Sequence, residues 1–232
     1  MNIFNFLAKK TAKPEQYEEF AGKDPEVNKW IVSDFIVNKI VPIVGVRPYP
    51  LSELELLVST LLIYRPTHVC DWGTHVGKAT RVFYETVIAF KLKTKIISVD
   101  LPEDVDHIEH PHADRGRLVL GLRGVKLLLG DGVTTSISYL QKYQKKNVRP
   151  MFLLDGDHAY SSVKGELSMI SKNYRNAAII IHDTFYQTSE SKYNIGPYQA
   201  VSEFIKKNTH YKVVTSNLGL PGMTVLFPTY EK

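Results

Sequence analysis

Four short apolar runs, each with an aspartate at or next to its end, constrain this chain more than any other feature. They are THVCDW (67–72), KIISVD (95–100), PMFLLD (150–155) and AAIIIHD (177–183). A run that is apolar at consecutive positions has no polar face. It suits a strand covered on both sides, as in a parallel sheet under two layers of helices. GVKLLLG (124–130) reads as a further strand. Helical spacing fills the gaps: Ala79, Phe83, Val87 and Phe90 share one face, residues 135–145 form a helix, and Val163, Leu167 and Ile170 mark another. Pro197 suits the first turn of a helix carrying Val201, Phe204 and Ile205. YKVVTS and MTVLFP, joined by NLGLPG, predict an antiparallel hairpin at the sheet edge. The expected fold is a doubly wound, Rossmann-like α/β sheet of about seven strands, mostly parallel, with one antiparallel strand.

The first 50 residues differ from this alternation. Helical patterns run through 15–22 and 26–40, and Pro42, Pro48 and Pro50 then break the chain. SELE (52–55) reads as a capping box, with Ser52 at the cap and Glu55 three residues on. Leu54, Leu57, Val58, Leu61 and Leu62 follow at helical spacing. Residues 1–50 are therefore expected as a helical extension and 51–232 as the main domain. Phe4, Phe6, Tyr17, Phe20 and Trp30 in the extension need a surface to cover them. A homodimer contact is the expectation, and a lid over the same domain the alternative.

Composition narrows the partners. The chain is 44% hydrophobic, which is enough for a sizeable core, yet no apolar run approaches a membrane span. MNIFNFLAKK has the wrong order and length for a secretory signal. The single cysteine, Cys70, cannot close an internal disulfide, so the cytoplasm is expected. The net charge of +5 is spread along the chain, and the run QKYQKKNVR (141–149) reads as a solvated helix end. This argues against a nucleic-acid footprint.

The segment CDWGTHVGKATRVF (70–83) runs from a strand end through a glycine turn into a helix. Its glycines are one residue too close for a nucleotide phosphate loop, and Ala79 stands where that loop has a magnesium-binding hydroxyl. Thr74 and His75 after Gly73 also break the dinucleotide fingerprint. What remains is Asp-x-Gly-x-x-x-Gly. A side chain at Gly73 would collide with a ligand lying across the strand ends. Asp71 is placed to accept from an ammonium, and Asp100 to hold both hydroxyls of a ribose. A ligand with a ribose, an amino-acid tail and no phosphate is S-adenosylmethionine.

CDWGTHVGKAT, ISVDLP, LLLGDGVTTSI, FLLDGDHAYSSVKGEL and AIIIHDT occur in the order seen in class I S-adenosylmethionine methyltransferases, and the chain resembles that class over roughly 52–228. DGDHAYSSVKGEL followed by IIIHDT resembles the cephalosporin hydroxylase-like and macrolide-sugar O-methyltransferases and, more distantly, catechol O-methyltransferase. The resemblance implies strand order 3-2-1-4-5-7-6. It places Asp71, Gly73, Thr74 and Gly77 at the methionine part of the cofactor. Asp100 and Leu101 fall at the ribose, Asp131 and Gly132 at the adenine side, and Asp155 at the cofactor's edge.

Asp155 and Asp183 each end a buried strand, and two close carboxylates are costly without a cation between them. Oxygen ligands suit Mg²⁺ or Mn²⁺, and in related metal-dependent O-methyltransferases these positions ligate the metal. His182, Thr184, Asp157 and Asp104 are candidates for the third ligand, and His182 reads equally well as a satisfied core histidine. His158 stands where the resemblance implies a general base, and imidazole suits that task. DGDH could also be only a turn. His107, His110 and His112 with Asp104 and Asp106 match no common ligand spacing and read as a polar loop over the site. Tyr160, Phe185 and Tyr186 are candidate walls of the acceptor pocket.

The function expected is a divalent-metal-assisted O-methyltransferase acting on a hydroxyl of a sugar or other small metabolite. Two alternatives stand beside it. A nucleic-acid methyltransferase is disfavoured because strand four ends in DGDH rather than Asn/Asp-Pro-Pro-aromatic. A non-catalytic cofactor-binding module with the same fold is the other.

Overall fold

The computed structural model describes residues 28–102, 104–105, 112–143, 147–188, 190–191 and 193–229. Phe4, Phe6, Tyr17 and Phe20, the helical pattern at 15–22, and the Asp106, His107 and His110 part of the histidine cluster lie outside them.

Seven strands form one sheet in the order β3-β2-β1-β4-β5-β7-β6. They are β1 (His68–Trp72), β2 (Lys95–Asp100), β3 (Val125–Leu129), β4 (Pro150–Leu154), β5 (Ala178–His182), β6 (Tyr211–Ser216) and β7 (Met223–Pro228). β7 runs antiparallel to both β5 and β6, and the other pairings are parallel. The central strands β1, β4 and β5 are buried at every position. Edge strand β6 is mostly open instead, with Lys212 and Val213 exposed beside buried Tyr211.

Alternation along the strands explains the continuous apolar runs. Val69, Ile96, Met151, Leu153, Ala178 and Ile180 face one core, and Cys70, Ile97, Phe152, Leu154, Ile179 and Ile181 face the other. The first core is closed by α3 (Leu51–Tyr64) and α4 (Lys78–Ala89), the second by α5 (Gly132–Gln141), α6 (Tyr160–Asn173) and α7 (Gly196–Lys207). Leu54, Leu57 and Leu61 of α3 are fully buried, and each such side chain contributes about 1.5–3 kcal/mol.

Residues 28–50 join the first core. Asn28 caps α1 (Lys29–Phe35), accepting from the Trp30 and Ile31 amides. Val32, Phe35, Ile36, Ile40 and Val44 pack with Leu54, Leu57 and Phe83. Pro42 does not break the chain as its sequence context predicts. A π-turn (Ile36–Ile40) widens the helix just ahead of it, and α2 (Val41–Val44) takes Pro42 in its first turn, where its missing N–H costs least. The capping box is also absent. α3 starts after Pro50, so Ser52 already lies inside the first turn and cannot cap it. Its hydroxyl accepts from the Ser216 hydroxyl at 2.9 Å, and Glu55 pairs with Lys29 at 2.9 Å.

Candidate active site

The carboxyl ends of β1, β2, β4 and β5 form one edge. The Gly73 amide donates to the Val99 carbonyl at 3.1 Å, and the Asp155 amide to Trp72 at 3.2 Å, so the glycine turn is drawn against the end of β4. Gly73 has φ +91°, and a Cβ there would sit 2.2 Å from the Asp155 carbonyl oxygen. This chain's own backbone is therefore sufficient reason for glycine here. Gly77 precedes α4 with φ +89°. Gly132 lets the start of α5 lie on Trp72, whose ring would be 2.8 Å from an added Cβ.

On the cofactor side, Asp71 is buried beneath the turn. Its Oδ2 accepts from the Thr80 hydroxyl and, at 3.3 Å, from Ser98. The Thr74 hydroxyl is 2.6 Å from Ser98 and belongs to this buried network. Oδ1 of Asp71 is buried and has no partner among the described residues. Burial pushes the Asp71 carboxyl up to about 7; the charge of Asp155 adds to this, and the Thr80 hydroxyl opposes it. Asp100 accepts from the His75 amide at 2.8 Å and the Leu101 amide at 2.7 Å. Its Oδ1 also lies 3.7 Å from Arg115 Nε. Arg115 ties down the following loop through the Leu101, Pro102 and Val105 carbonyls. Asp131 caps α5, accepting from the Thr134 amide at 2.9 Å.

On the other side, Asp155, His182 and Asp183 come together. Asp155 accepts from the Tyr49 hydroxyl through Oδ2, and its Oδ1 lies 2.8 Å from His182 Nδ1. The opposite ring nitrogen, Nε2, is 3.1 Å from Oε2 of Glu53, a buried acid on α3. Asp183 Oδ1 is 3.6 Å from His182 Nδ1 and accepts from the Tyr193 hydroxyl at 3.0 Å. Asp183 Oδ2 accepts from Asn194 at 2.7 Å and lies 3.2 Å from His158 Nδ1. Asp183 has φ +57°, a left-handed conformation that aspartate tolerates better than most residues. Burial disfavours charge on His182, but Asp155, Glu53 and Asp183 outweigh it and hold the imidazole well above its ordinary range. The Asp155 carboxyl, raised by burial, is brought below its ordinary value by His182 and Tyr49. Tyr49 is pushed well up by burial and by the charge of Asp155.

Among the candidate third ligands, His182 lies beside both aspartates. Thr184 turns to Thr224 at 2.8 Å, and Asp157 accepts from the Ala159 amide and Ser162 hydroxyl. The donor set does not fit the expected Mg²⁺ or Mn²⁺. Both oxygens of Asp155 and of Asp183 already face protein hydrogen-bonding groups, and so do both nitrogens of His182. Among the described residues, no three His, Cys, Asp or Glu side chains are arranged to hold a metal ion. Tyr160 is tied to Glu203 at 2.8 Å across to α7. Tyr186 is exposed against Tyr198, and the Phe185 amide donates to Pro221.

Around Asp155, His182 and Asp183, four contributors lie outside the strand-end motifs: Tyr49, Glu53, Tyr193 and Asn194. Only Glu53 has a sequence signal, since it falls on the Leu57 and Leu61 face of α3. Gly196 is a fifth, structural one: a Cβ there would lie 2.4 Å from the His158 carbonyl, so α7 starts hard against the His158 segment.

This sheet order, with an acidic glycine turn after β1 and an aspartate ending β2, defines a class I S-adenosylmethionine-dependent methyltransferase. Residues 51–224 match the rhamnosyl O-methyltransferase/CmcI family, and the chain belongs to that family of O-methyltransferases. No curated protein matches the chain. Among solved structures, the SAH-bound methyltransferase PaMTH1 of Podospora anserina is 13% identical, with a TM-score of 0.53 over 91% of this chain and 93% of its own. An O-methyltransferase of Bacillus cereus in complex with SAH is 12% identical, with a TM-score of 0.54 over 93% and 100%. CalS11, described as a TDP-rhamnose 3'-O-methyltransferase of calicheamicin biosynthesis, is 15% identical, with a TM-score of 0.52 over 98% and 99%. At these identities the likeness carries the fold alone.

Proposed function

We propose that this chain transfers the methyl group of S-adenosylmethionine to a hydroxyl of a sugar, with His158 as general base and Asp183 as the residue that positions it. The carrying observation is the 3.2 Å contact between His158 Nδ1 and Asp183 Oδ2. It fixes the ring so that Nδ1 holds the proton and Nε2 is left to take one. His158 is half-buried at the strand edge, whereas Asp183 is fully buried.

The cofactor fits the residues present. The unpartnered Asp71 Oδ1 is a buried acceptor suited to an ammonium, and the Asp100 carboxylate keeps lone pairs for ribose hydroxyls. When bound, S-adenosylmethionine supplies an electrophilic methyl carbon on its sulfonium. His158 Nε2 takes the acceptor's hydroxyl proton as the oxygen–methyl bond forms and the sulfur–methyl bond breaks. Asp183 stabilises the imidazolium produced. Since the donor set at β4 and β5 does not suit a divalent cation, no step is routed through one.

The sugar acceptor rests on the family's rhamnosyl O-methyltransferase description and on CalS11 being a TDP-rhamnose 3'-O-methyltransferase. A dimer through the N-terminal region is proposed from its aromatics, of which Trp30 on α1 is 85% exposed. A reducing, cytoplasmic setting is proposed from the lone buried Cys70. Among the described residues no helix is long and apolar enough to cross a membrane.

The test is transfer of labelled methyl from S-adenosylmethionine to a panel of nucleotide-linked and free 6-deoxyhexoses, beside tRNA and DNA. Label in a sugar is expected. Label in nucleic acid and none in any sugar overturns the reading.

A further inference from the structure

The mismatch between the expected metal and the observed donors has a specific cause. Three acids, the buried Glu53 and Asp183 and the partly buried Asp155, surround one imidazole, which is 3% exposed. The titratable groups facing His182 come from several elements, while β7 sets the apolar Met223 opposite it. These groups are Glu53 from α3, Asp155 at the end of β4, neighbouring Asp183, and Tyr49, whose ring meets the imidazole edge-on at 5.0 Å. Each ring nitrogen points at a carboxylate oxygen, at 2.8 and 3.1 Å. A neutral imidazole has only one N–H, so one of these contacts would set a lone pair against a carboxylate. A ring carrying both hydrogens satisfies both. Buried carboxylates also need a cationic partner.

We propose that His182, clamped as an imidazolium between Asp155 and Glu53, is the built-in cation of this site and stands in place of a divalent metal. Glu53 is a positioning residue: it acts by fixing the ring from the far side. Tyr49 holds the second oxygen of Asp155 and keeps that carboxylate turned to the ring. The inference rests on the methyltransferase reading only for what the site serves. Its test reads metal binding and ring protonation, so it can fail while methyl transfer stands, and the reverse.

Removing the imidazole in favour of a carboxylate would leave four acids without a counter-charge, and that cluster must recruit a cation. The experiment is Mn²⁺ titration of the full chain, followed by calorimetry and electron paramagnetic resonance, with S-adenosylhomocysteine present. The wild type is expected to take up no stoichiometric Mn²⁺ at this edge, whereas His182→Asp gains one equivalent that Asp155→Asn then removes. One tightly bound Mn²⁺ in the wild type, lost in Asp155→Asn, overturns the proposal. If His182→Asp does not fold, nitrogen-15 spectra of histidine-labelled wild type decide. Two protonated ring nitrogens on His182 are expected, assigned by loss of the signals in His182→Gln. Glu53→Gln should remove one of the two. A His182 ring with one bare nitrogen in the wild type overturns the proposal.

Discussion

The two halves of the catalytic edge treat buried charge differently. At β1 and β2 the chain leaves Asp71 with an oxygen that nothing in the protein satisfies, and its carboxyl is pushed up to about 7. At β4 and β5 every oxygen of Asp155 and Asp183 has a protein partner, and a histidine lies between the acids. The first half keeps one buried acceptor unpartnered among the described residues. The second has a protein partner for each of its aspartate oxygens, with one imidazole set among three carboxylates. A pocket that must bind and release a charged cofactor gains from unsatisfied acceptors, whereas one that must hold a base in a single geometry gains from full satisfaction.

Breaking the fully partnered half should cost most. His158→Ala is expected to lower turnover roughly 10²–10⁴-fold, the usual range for loss of a general base, with S-adenosylhomocysteine affinity unchanged by calorimetry. Asp183→Asn should lower turnover in the same direction and leave cofactor binding intact. Gly73→Ala attacks the seam between the halves. The clash with the Asp155 carbonyl and the positive φ should cost about 3 kcal/mol, read as a lowered midpoint in thermal or urea unfolding. In the first half, Asp100→Ala should weaken S-adenosylmethionine binding by about 1.5–3 kcal/mol, or ten- to a hundredfold. Unchanged affinity would reassign Asp100 to holding the His75 and Leu101 amides.

A pH-dependent effect should follow from Asp71. Its folded-state carboxyl, at about 7, lies above the ordinary 3.8, so the apo fold favours the neutral form. Ionising it costs the apo protein stability as pH rises from about 4 to 7, and that slope should vanish in Asp71→Asn. An ammonium prefers the carboxylate. Cofactor binding below pH 7 should then release a proton, and affinity should rise towards pH 7 by at most about tenfold per unit. Calorimetry in buffers of different ionisation enthalpy reads the proton directly, and Asp71→Asn should release none from this position. The smallest effect belongs to the surface: Trp30→Ala should lower the dimer fraction in light scattering and leave the melting midpoint nearly unchanged.

The fold was legible because its strands are continuous apolar runs and its helices keep their period. Val69 and Cys70 facing opposite cores explain why neither run alternates. The aspartates of the site were legible for the same reason, as polar ends of apolar strands. The bonds they make were not. Tyr49 comes from a proline-rich connection, and Tyr193 and Asn194 from the loop after β5; none has a period to mark it. The backbone constraint on Gly73 was not legible because its neighbour, the Asp155 backbone, is 82 residues away in sequence and is brought close only by strand pairing. Pro42 and Ser52 were misread because a local signal yielded to packing: a π-turn accommodates one, and a helix start two residues earlier overrides the other.

The most direct test of the account is a crystal structure with S-adenosylhomocysteine and a nucleotide-linked 6-deoxyhexose bound together. The account predicts the amino-acid tail with its ammonium at Asp71 Oδ1 and the ribose at Asp100. It also predicts a sugar hydroxyl within about 3 Å of His158 Nε2, with Asp183 still on Nδ1. A bound sugar whose hydroxyls all lie beyond hydrogen-bond reach of His158, or a cofactor tail directed away from Asp71, would contradict it.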